Sequence, residues 1–208
     1  MVVASTSLAA ESGERIESVP DFAPGSGLWW PEARHCVSPN RDARPAGILP
    51  ELIVVHSISL PPGKFGGPFI EQLFCNTLDP SAHPYFAEIA DLRVSAHALI
   101  DRRGRATQFV PFDERAWHAG ASSWKGRERC NDFSIGIELE GCDDRPFAAV
   151  QYRVLARMIR WLAGHYPALD RKEALAGHSD VAPGRKTDPG PYFDWCRLET
   201  CLREEPLS

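Results

Sequence analysis

Long hydrophobic stretches are absent from this 208-residue chain, and so is an excess of basic charge. No apolar run approaches the roughly 20 residues that a helix needs to cross a bilayer. The chain carries 23 Lys and Arg against 28 Asp and Glu, a net charge of -5. It therefore offers no electrostatic footprint for nucleic acid or for an anionic membrane surface. We expect neither of these partners and favour a small-molecule ligand.

Cysteine pairs with C-x-x-C spacing are also missing, although the chain has six cysteines. A chain of this length can bury a full core without disulfides, so we interpret the six cysteines as reduced thiols. The opening residues 1–6 lack the basic and the long apolar segments of a secretory signal. Together these features predict a cytoplasmic protein, and we expect a monomer.

The first 27 residues differ in composition from the rest of the chain. They are rich in Ala, Ser, Glu, Gly and Pro, show no apolar periodicity and end at Gly25-Ser26-Gly27. Such a composition is typical of a flexible segment. We predict a flexible N-terminal extension over residues 1–27 and a single folded domain over residues 28–208.

Apolar periodicity predicts strands and helices in alternation. The β-branched run 52–56 predicts a buried strand that ends at His56. Residues 94–100 and 108–110 flank a turn and predict a hairpin. In residues 134–140, apolar residues alternate with a glycine and two glutamates, which predicts a strand with Glu138 and Glu140 on one face. A last short strand is predicted over 174–178, and helical spacing predicts helices over 68–78, over 144–166 and from Trp195 to Leu202.

Residues 177–190 form a segment that is stiffened by two prolines and several glycines. It contains His178, Lys186 and Asp188 within ten residues or so. Together with His56, the imidazole and the carboxylate would supply two nitrogens and one oxygen to Zn²⁺, which leaves a fourth tetrahedral position for water. The alternative is structural: a lone histidine is more often a core residue than a ligand, and Asp188 would be a turn residue before Pro189.

Five motifs then point to one known family. They are Val54–His56 with Ile58–Gly63, Val94–His97, Trp117–Gly120, Asn131–Gly141 and Ala182–Gly190. On these motifs the chain, from about Leu28 to Leu202, resembles the AmpD-type N-acetylmuramoyl-L-alanine amidases of the amidase and peptidoglycan-recognition-protein superfamily. The resemblance implies an α/β fold with a central mixed β-sheet flanked by α-helices, and the strand and helix patterns agree with it.

The resemblance also implies roles for individual residues. His56, His178 and Asp188 match the zinc ligands, Glu138 matches the catalytic acid/base, and Lys186 matches the group that stabilises the transition state. Arg93 and Arg129 match positions near the substrate cleft, where guanidinium groups would bind peptide carboxylates. The alternative for these two is that they are surface arginines in weak, exposed ion pairs. The chain departs from the family at Ser57, where we expect asparagine in close relatives.

The activity that the resemblance implies is zinc-dependent hydrolysis of the amide bond between (1,6-anhydro-)N-acetylmuramic acid and L-alanine. Its substrates would be muropeptides in cytoplasmic peptidoglycan recycling, and the activity would restrain β-lactamase induction. One alternative is an exported or phage-type amidase that acts on intact peptidoglycan. Another is a non-catalytic peptidoglycan-binding module, which the presence of all five catalytic and ligand residues disfavours.

Two further histidines and several tryptophans could belong either to the site or to the core. His97 and His118 are expected to be hydrogen-bond partners of the metal ligands or packed core residues, because the ligand count is met without them. The tryptophans could line a sugar cleft, but core packing is favoured for each one. These tryptophans are Trp29, Trp30, Trp117 and Trp124.

Overall fold

A computed structural model describes residues 27–204 of the chain. The strands of this part are β1 (Arg34–His35), β2 (Arg41–Ala43), β3 (Leu52–Ile58), β4 (Ala98–Ile100), β5 (Ala106–Gln108), β6 (Glu114–Ala116), β7 (Ser123–Trp124), β8 (Arg127–Glu128), β9 (Ser134–Glu140) and β10 (Leu175–Gly177). The helices are α1 (Phe69–Phe74), α2 (Pro84–Glu88), α3 (Ala149–His165), α4 (His178–Val181) and α5 (Trp195–Arg203).

One six-stranded sheet in the order β1-β5-β4-β9-β3-β10 forms the centre of the domain. β9 runs parallel to β4 and to β3, and β3 runs parallel to β10. Only the hairpin of β4 and β5 is antiparallel within this sheet. Because parallel strands end at the same edge, the carboxyl ends of β3, β9 and β10 lie side by side, which is the usual position of ligand sites in such sheets.

The two faces of the sheet carry different layers. Alternation along β3 sends Ile53 and Val55 to one face, where they share a core with residues of α3 and α5. The opposite face carries Leu52 and Val54, which pack against the segment between Ala119 and Phe133. His56 follows Leu52 and Val54 in this alternation, so it belongs to the second face.

The predicted strands and hairpin are confirmed, with small shifts. The strand predicted over 134–140 coincides with β9, and the strand predicted over 52–56 continues to Ile58. The first hairpin strand begins at Ala98 instead of residue 94, and the second lies at 106–108 instead of 108–110. The regular pairing of β4 with β5 ends there, since the backbone N–H groups of Phe109 and Val110 both donate to the carbonyl of His97.

The helix predicted from Trp195 to Leu202 is confirmed as α5, whereas the other two predicted helices are present but shorter. The helix predicted over 68–78 ends at Phe74, because Asn76 adopts a left-handed conformation with φ of 58°. The helix predicted from residue 144 begins at Ala149, where the side chain of Gln151 accepts a hydrogen bond from the N–H of Ala148. The predicted strand 174–178 is confined to β10, and His178 opens α4.

The six cysteines all lie in the described part, and none of them forms a disulfide there. The sulfur atoms of Cys36 and Cys75 lie 3.4 Å apart. Within residues 27–204, no helix has the length and apolar character that crossing a bilayer requires. The extension predicted over 1–27 falls, except for its last residue, outside the described residues, so its boundary stays a prediction.

Gln151 ties α3 to the sheet and is fully buried. Its amide nitrogen donates to the carbonyls of Ile100 at 3.0 Å and Glu140 at 3.1 Å. We predict that Gln151→Leu lowers the free energy of unfolding by about 1–3 kcal/mol, because buried polar partners lose their hydrogen bonds. Urea titration measures this change. The control is Arg153→Ala on the exposed face of the same helix, which should stay within about 0.5 kcal/mol of the parent; equal losses would contradict the prediction.

Candidate active site

Three side chains meet at the carboxyl edge of the sheet. The Nδ1 atom of His56 lies 3.0 Å from Nδ1 of His178 and 3.2 Å from Oδ2 of Asp188. The His178 and Asp188 atoms are 3.0 Å apart. Both imidazoles are buried, and the carboxylate is half-buried. This cluster of two nitrogens and one oxygen can hold a metal ion.

Strand topology explains why these residues meet. His56 lies near the end of β3, and Val55 pairs with Gly177 of the parallel strand β10. His178 follows Gly177 directly, so the two histidines come from neighbouring strand ends. Asp188 arrives on the loop 182–190, whose position is fixed by a 2.9 Å hydrogen bond from the N–H of Ser179 to the carbonyl of Asp188.

Burial favours the neutral form of two histidines of the site, His56 and His118. Burial lowers the pKa of His56 to about 4. Burial also lowers the pKa of His118 well below its ordinary value, and the nearby His56 adds to the effect. The two rings are in contact, with Nε2 of His56 lying 3.0 Å from Nδ1 of His118. Neutral imidazole is the form that donates a lone pair to a metal.

Glu138 lies beside the cluster, because it is the register partner of His56 on β9. Its Oε2 atom is buried and has no hydrogen-bond partner among the described residues. Burial raises the pKa of Glu138 well above its ordinary value; the charge of Asp188 adds to the rise, and Lys186 opposes it. This carboxyl group is therefore able to hold a proton near neutral pH.

Glu140 occupies the next position on the same strand but has a different environment. It accepts hydrogen bonds from the backbone N–H groups of Gly66 and Arg102. These contacts fasten the loop after β3 and the hairpin turn to the end of β9. The two glutamates thus differ in their partners, although the strand pattern alone treats them alike.

The cluster opens into a cleft of about 600 Å³. Glu138 and Lys186 line this cleft together with the three residues of the cluster and with Ser57. One part of its wall is apolar and includes Leu60, Tyr85, Ile89, Leu92, Val94 and Trp117. A cleft that combines convergent polar groups with apolar surface suits a small-molecule ligand.

A larger depression, of about 1100 Å³, lies along residues 37–48 with Asp113 and Glu114. It contains none of the cluster residues. The smaller cleft is the better candidate, because it holds the residues whose arrangement and pKa values support chemistry.

Comparison with known proteins agrees with this site. The sequence profile of the family described as N-acetylmuramoyl-L-alanine amidase matches residues 46–191. This range covers β3, β9, β10 and the loop that carries Asp188. The chain belongs to this amidase family. It is accordingly an amidase hydrolase, as its sequence resemblance implies.

Relatives of this amidase share most of its length. The 1,6-anhydro-N-acetylmuramyl-L-alanine amidase AmpD of Escherichia coli (strain K12) is 58% identical over 177 residues, which are 85% of this chain and 96% of the relative. A crystal structure of a selenomethionine derivative of AmpD is 58% identical with a TM-score of 0.81, covering 84% of this chain and 96% of that chain. AmiD from E. coli, in complex with anhydro-N-acetylmuramic acid-L-Ala-D-gamma-Glu-L-Lys, is 30% identical with a TM-score of 0.53, covering 76% of this chain and 60% of that chain.

The two arginines with an expected substrate role do not line the cleft of this amidase. Arg93 is exposed, and its guanidinium donates to the carbonyls of Ala90 and Leu92 in its own loop. Arg129 is exposed and pairs with Asp132 at 3.2 Å. Their binding of peptide carboxylates stays a prediction.

The remaining histidines and tryptophans of the amidase divide between site and core. His118 contacts His56 of the cluster, whereas His97 contacts the backbone at Gly136 and Glu114. Trp117 lines the cleft, although core packing was favoured from the sequence, and Trp30 is a core residue.

One residue of this site had no role in the sequence analysis. Arg185 donates to the carbonyl of Ala119 at 2.5 Å and to that of Ala121 at 2.8 Å. These bonds attach the loop that carries Asp188 to the segment that follows Trp117. The only sequence signal for Arg185 is its place beside Lys186, because its partners lie more than 60 positions away.

Proposed function

We propose that this amidase uses Zn²⁺ to hydrolyse the amide bond between 1,6-anhydro-N-acetylmuramic acid and L-alanine in muropeptides. Its place would be cytoplasmic peptidoglycan recycling, where removal of free muropeptide restrains β-lactamase induction. The observation that carries the proposal is the triangle of His56, His178 and Asp188 beside the buried carboxyl group of Glu138.

The geometry of the triangle fits a zinc ion. Zinc binds nitrogen and carboxylate oxygen at about 2.0–2.2 Å, so neighbouring ligand atoms of a tetrahedral site lie roughly 3.3–3.5 Å apart. The separations of 3.0–3.2 Å between the three atoms are close to this value. Two imidazoles and one carboxylate also leave one tetrahedral position for a water or a substrate atom, as catalytic zinc sites do.

The roles of the side chains follow from their environments. Zinc held by the triangle supplies Lewis acidity toward water and toward the scissile carbonyl group. Glu138 takes a proton from the attacking water and passes it to the departing nitrogen of L-alanine, since its raised pKa makes both directions accessible. The ammonium group of Lys186, on the wall of the same cleft, stabilises the oxyanion that develops in the transition state.

The substrate class is supported by the relatives and by the cleft. AmpD of E. coli is named for the 1,6-anhydro-N-acetylmuramyl-L-alanine bond, and AmiD was crystallised with an anhydro-muramoyl peptide. A cleft of about 600 Å³ with an apolar wall accommodates a rigid bicyclic sugar. Arg93 and Arg129 would then bind carboxylates of a longer stem peptide outside the cleft.

Cytoplasmic placement is supported by cysteine usage. All six cysteines are free thiols, and four of them are only partly buried. A protein with accessible thiols suits a reducing compartment. The catalytic domain would span residues 28–208 and act as a monomer on a small-molecule substrate, without nucleic acid or membrane as partner.

Two alternatives have weaker support. An exported or phage-type amidase would act on intact peptidoglycan, whereas the relatives that are 58% identical are named for the 1,6-anhydro compound. A non-catalytic peptidoglycan-binding module would have no need of a complete ligand triangle or of a buried carboxyl group with a raised pKa.

Metal analysis tests the cofactor. We predict about one zinc per purified chain and loss of turnover after chelation, with recovery when Zn²⁺ is returned. His178→Ala should lose both metal and activity because it removes one ligand of the triangle. His97→Asn is the control, since His97 is equally buried but contacts none of the ligand atoms. Full turnover by metal-free protein would overturn the zinc mechanism.

Paired substitutions test the acid/base. We predict that Glu138→Gln lowers kcat by about 10²–10⁴, because a general acid/base is lost. Glu140→Gln should retain most of kcat and lower the stability instead, because its carboxylate serves the N–H groups of Gly66 and Arg102. Steady-state kinetics and urea titration on both variants separate the two effects. Equal losses of kcat, or the reverse order, would contradict the assignment.

Substrate comparison tests the recycling role. We predict that kcat/KM for anhydro-muramoyl tripeptide exceeds that for the reducing-sugar analogue by about ten- to hundredfold, because a hydrated hydroxyl left unpaired in the cleft costs roughly 1–3 kcal/mol. Intact sacculi should be poorer still. Mass spectrometry of the products under one set of conditions measures all three rates. Digestion of sacculi as fast as the anhydro compound would favour the amidase that acts on intact peptidoglycan.

A further inference from the structure

We propose that the dipeptide His118-Ala119 sets the proton positions on both histidine ligands, so that each presents the lone pair of Nδ1 to the metal. The inference rests on the proposed zinc function and assigns a positioning role to residues that are not ligands themselves. Each ligand imidazole has two nitrogens, and only one of them faces the cluster. The partner of the outer nitrogen decides which nitrogen carries the proton.

The first chain of hydrogen bonds begins at Ser134 and ends at His56. The hydroxyl of Ser134 donates to the carbonyl of Cys130 at 2.6 Å, which uses its single proton. Toward Nε2 of His118, at 3.3 Å, the same hydroxyl can only accept. His118 therefore carries its proton on Nε2 and has a lone pair on Nδ1.

That lone pair determines the tautomer of His56. Nδ1 of His118 lies 3.0 Å from Nε2 of His56, so His56 is the donor in this contact. A neutral imidazole has one proton, and here it is on Nε2. Nδ1 of His56, the atom in the triangle with Asp188, is consequently free to donate its lone pair to a metal.

Ala119, the residue after His118, supplies the acceptor for His178. Nε2 of His178 lies 3.3 Å from the backbone carbonyl oxygen of Ala119. A carbonyl oxygen only accepts, so it receives the Nε2 proton of His178 when Nδ1 gives its lone pair to a metal; without a metal, the Asp188 carboxylate at 3.0 Å from Nδ1 competes for that proton. Two adjacent residues of one segment thus serve both ligands, His118 with its side chain and Ala119 with its backbone.

The dipeptide is itself held in place from two sides. The Oδ1 atom of Asn131 accepts from the N–H of His118 at 3.2 Å and from the N–H of Ala119 at 2.8 Å. Arg185 donates to the carbonyl of Ala119, the same oxygen that faces His178. The acceptors for both ligands are therefore fixed by contacts that involve no ligand atom.

The sheet makes room for the ring of His118. A Cβ atom added to Gly136 would lie 2.3 Å from Cγ of His118, a distance that no side chain can tolerate. A glycine within a buried strand weakens the strand unless another group must approach closely. Gly136 is such a position, and it places the imidazole of His118 between β9 and the ligand His56.

His97 offers a matched control. It is fully buried, and its ring lies near that of His118 with centroids 5.6 Å apart. Its nitrogens, however, contact the N–H of Gly136, the carbonyl of Glu114 and the guanidinium of Arg44, and none of the three cluster residues. A purely structural role for His118 predicts that the loss of either imidazole affects zinc binding equally.

Nuclear magnetic resonance tests the proton positions directly in the full-length chain. Long-range nitrogen–proton correlation spectra, recorded with and without Zn²⁺, distinguish imidazoles protonated on Nε2 from those protonated on Nδ1. We expect the Nε2-protonated form for His56 and His118 in the zinc-free chain, and for His56, His118 and His178 when Zn²⁺ is bound. A proton on Nδ1 of His118 would overturn the proposal, because His118 would then donate to His56 and reverse its tautomer.

Zinc affinity tests the consequence, by competition of the chain with a chromophoric chelator. His118→Phe keeps a planar ring but removes the acceptor, and we expect about 10–100-fold weaker zinc binding. His118→Asn should lose less, because its Oδ1 lies one bond beyond Cγ, as Nδ1 does. His97→Phe should bind zinc within about threefold of the parent, whatever its effect on the stability of the zinc-free chain, since no ligand loses a hydrogen bond. Equal affinity of His118→Phe and the parent would also overturn the proposal.

These outcomes separate the inference from the proposed function. If the parent chain does not bind zinc, the proposed cofactor is wrong, while the spectra of the zinc-free chain still decide the tautomers. If the parent binds zinc and His118 proves to be protonated on Nδ1, only the positioning role fails.

Discussion

Two imidazole nitrogens and one carboxylate oxygen lie within 3.0–3.2 Å of one another at the sheet edge, close enough to hold one cation together. The surrounding structure must keep two buried imidazoles and a carboxylate in this arrangement. Burial keeps His56 neutral, and the outer nitrogen of each ligand needs an acceptor in a place with little water. The loop that ends at Gly190 holds the cluster together. The dipeptide His118-Ala119, for which Gly136 makes room, provides the acceptors for the outer nitrogens.

The sheet supplies the rigidity that this set requires. Parallel pairing of β3 with β9 and β10 fixes the separation of the strand ends on which His56, Glu138 and His178 lie. The other face of these strands is packed against α3, and Gln151 ties the start of that helix to the ends of β4 and β9. Positions fixed in this way cost no reorganisation when the substrate binds, which is the main contribution of a scaffold to catalysis.

Environment, and not residue type, separates the two glutamates of β9. Both side chains leave the same face of one strand, and both are buried. Glu140 finds two backbone N–H donors, which stabilise its carboxylate and occupy it. Glu138 has an oxygen without a partner among the described residues, and burial together with the charge of Asp188 raises its pKa well above the ordinary value. The Glu140 carboxylate therefore stabilises the fold, whereas the Glu138 carboxyl group is available for proton transfer.

The sequence by itself determined the elements whose pattern is local. The alternating pattern predicts the exact bounds of β9. The motifs around His56, His178 and Asp188 indicate the family and predict these three residues as its metal ligands. The ends of α1 and α3 were missed, because they depend on a left-handed Asn76 and on the side chain of Gln151. Only the tertiary structure decided that His118 contacts His56, since those residues are 62 positions apart and the direction of a hydrogen bond depends on the partners that each atom has already taken.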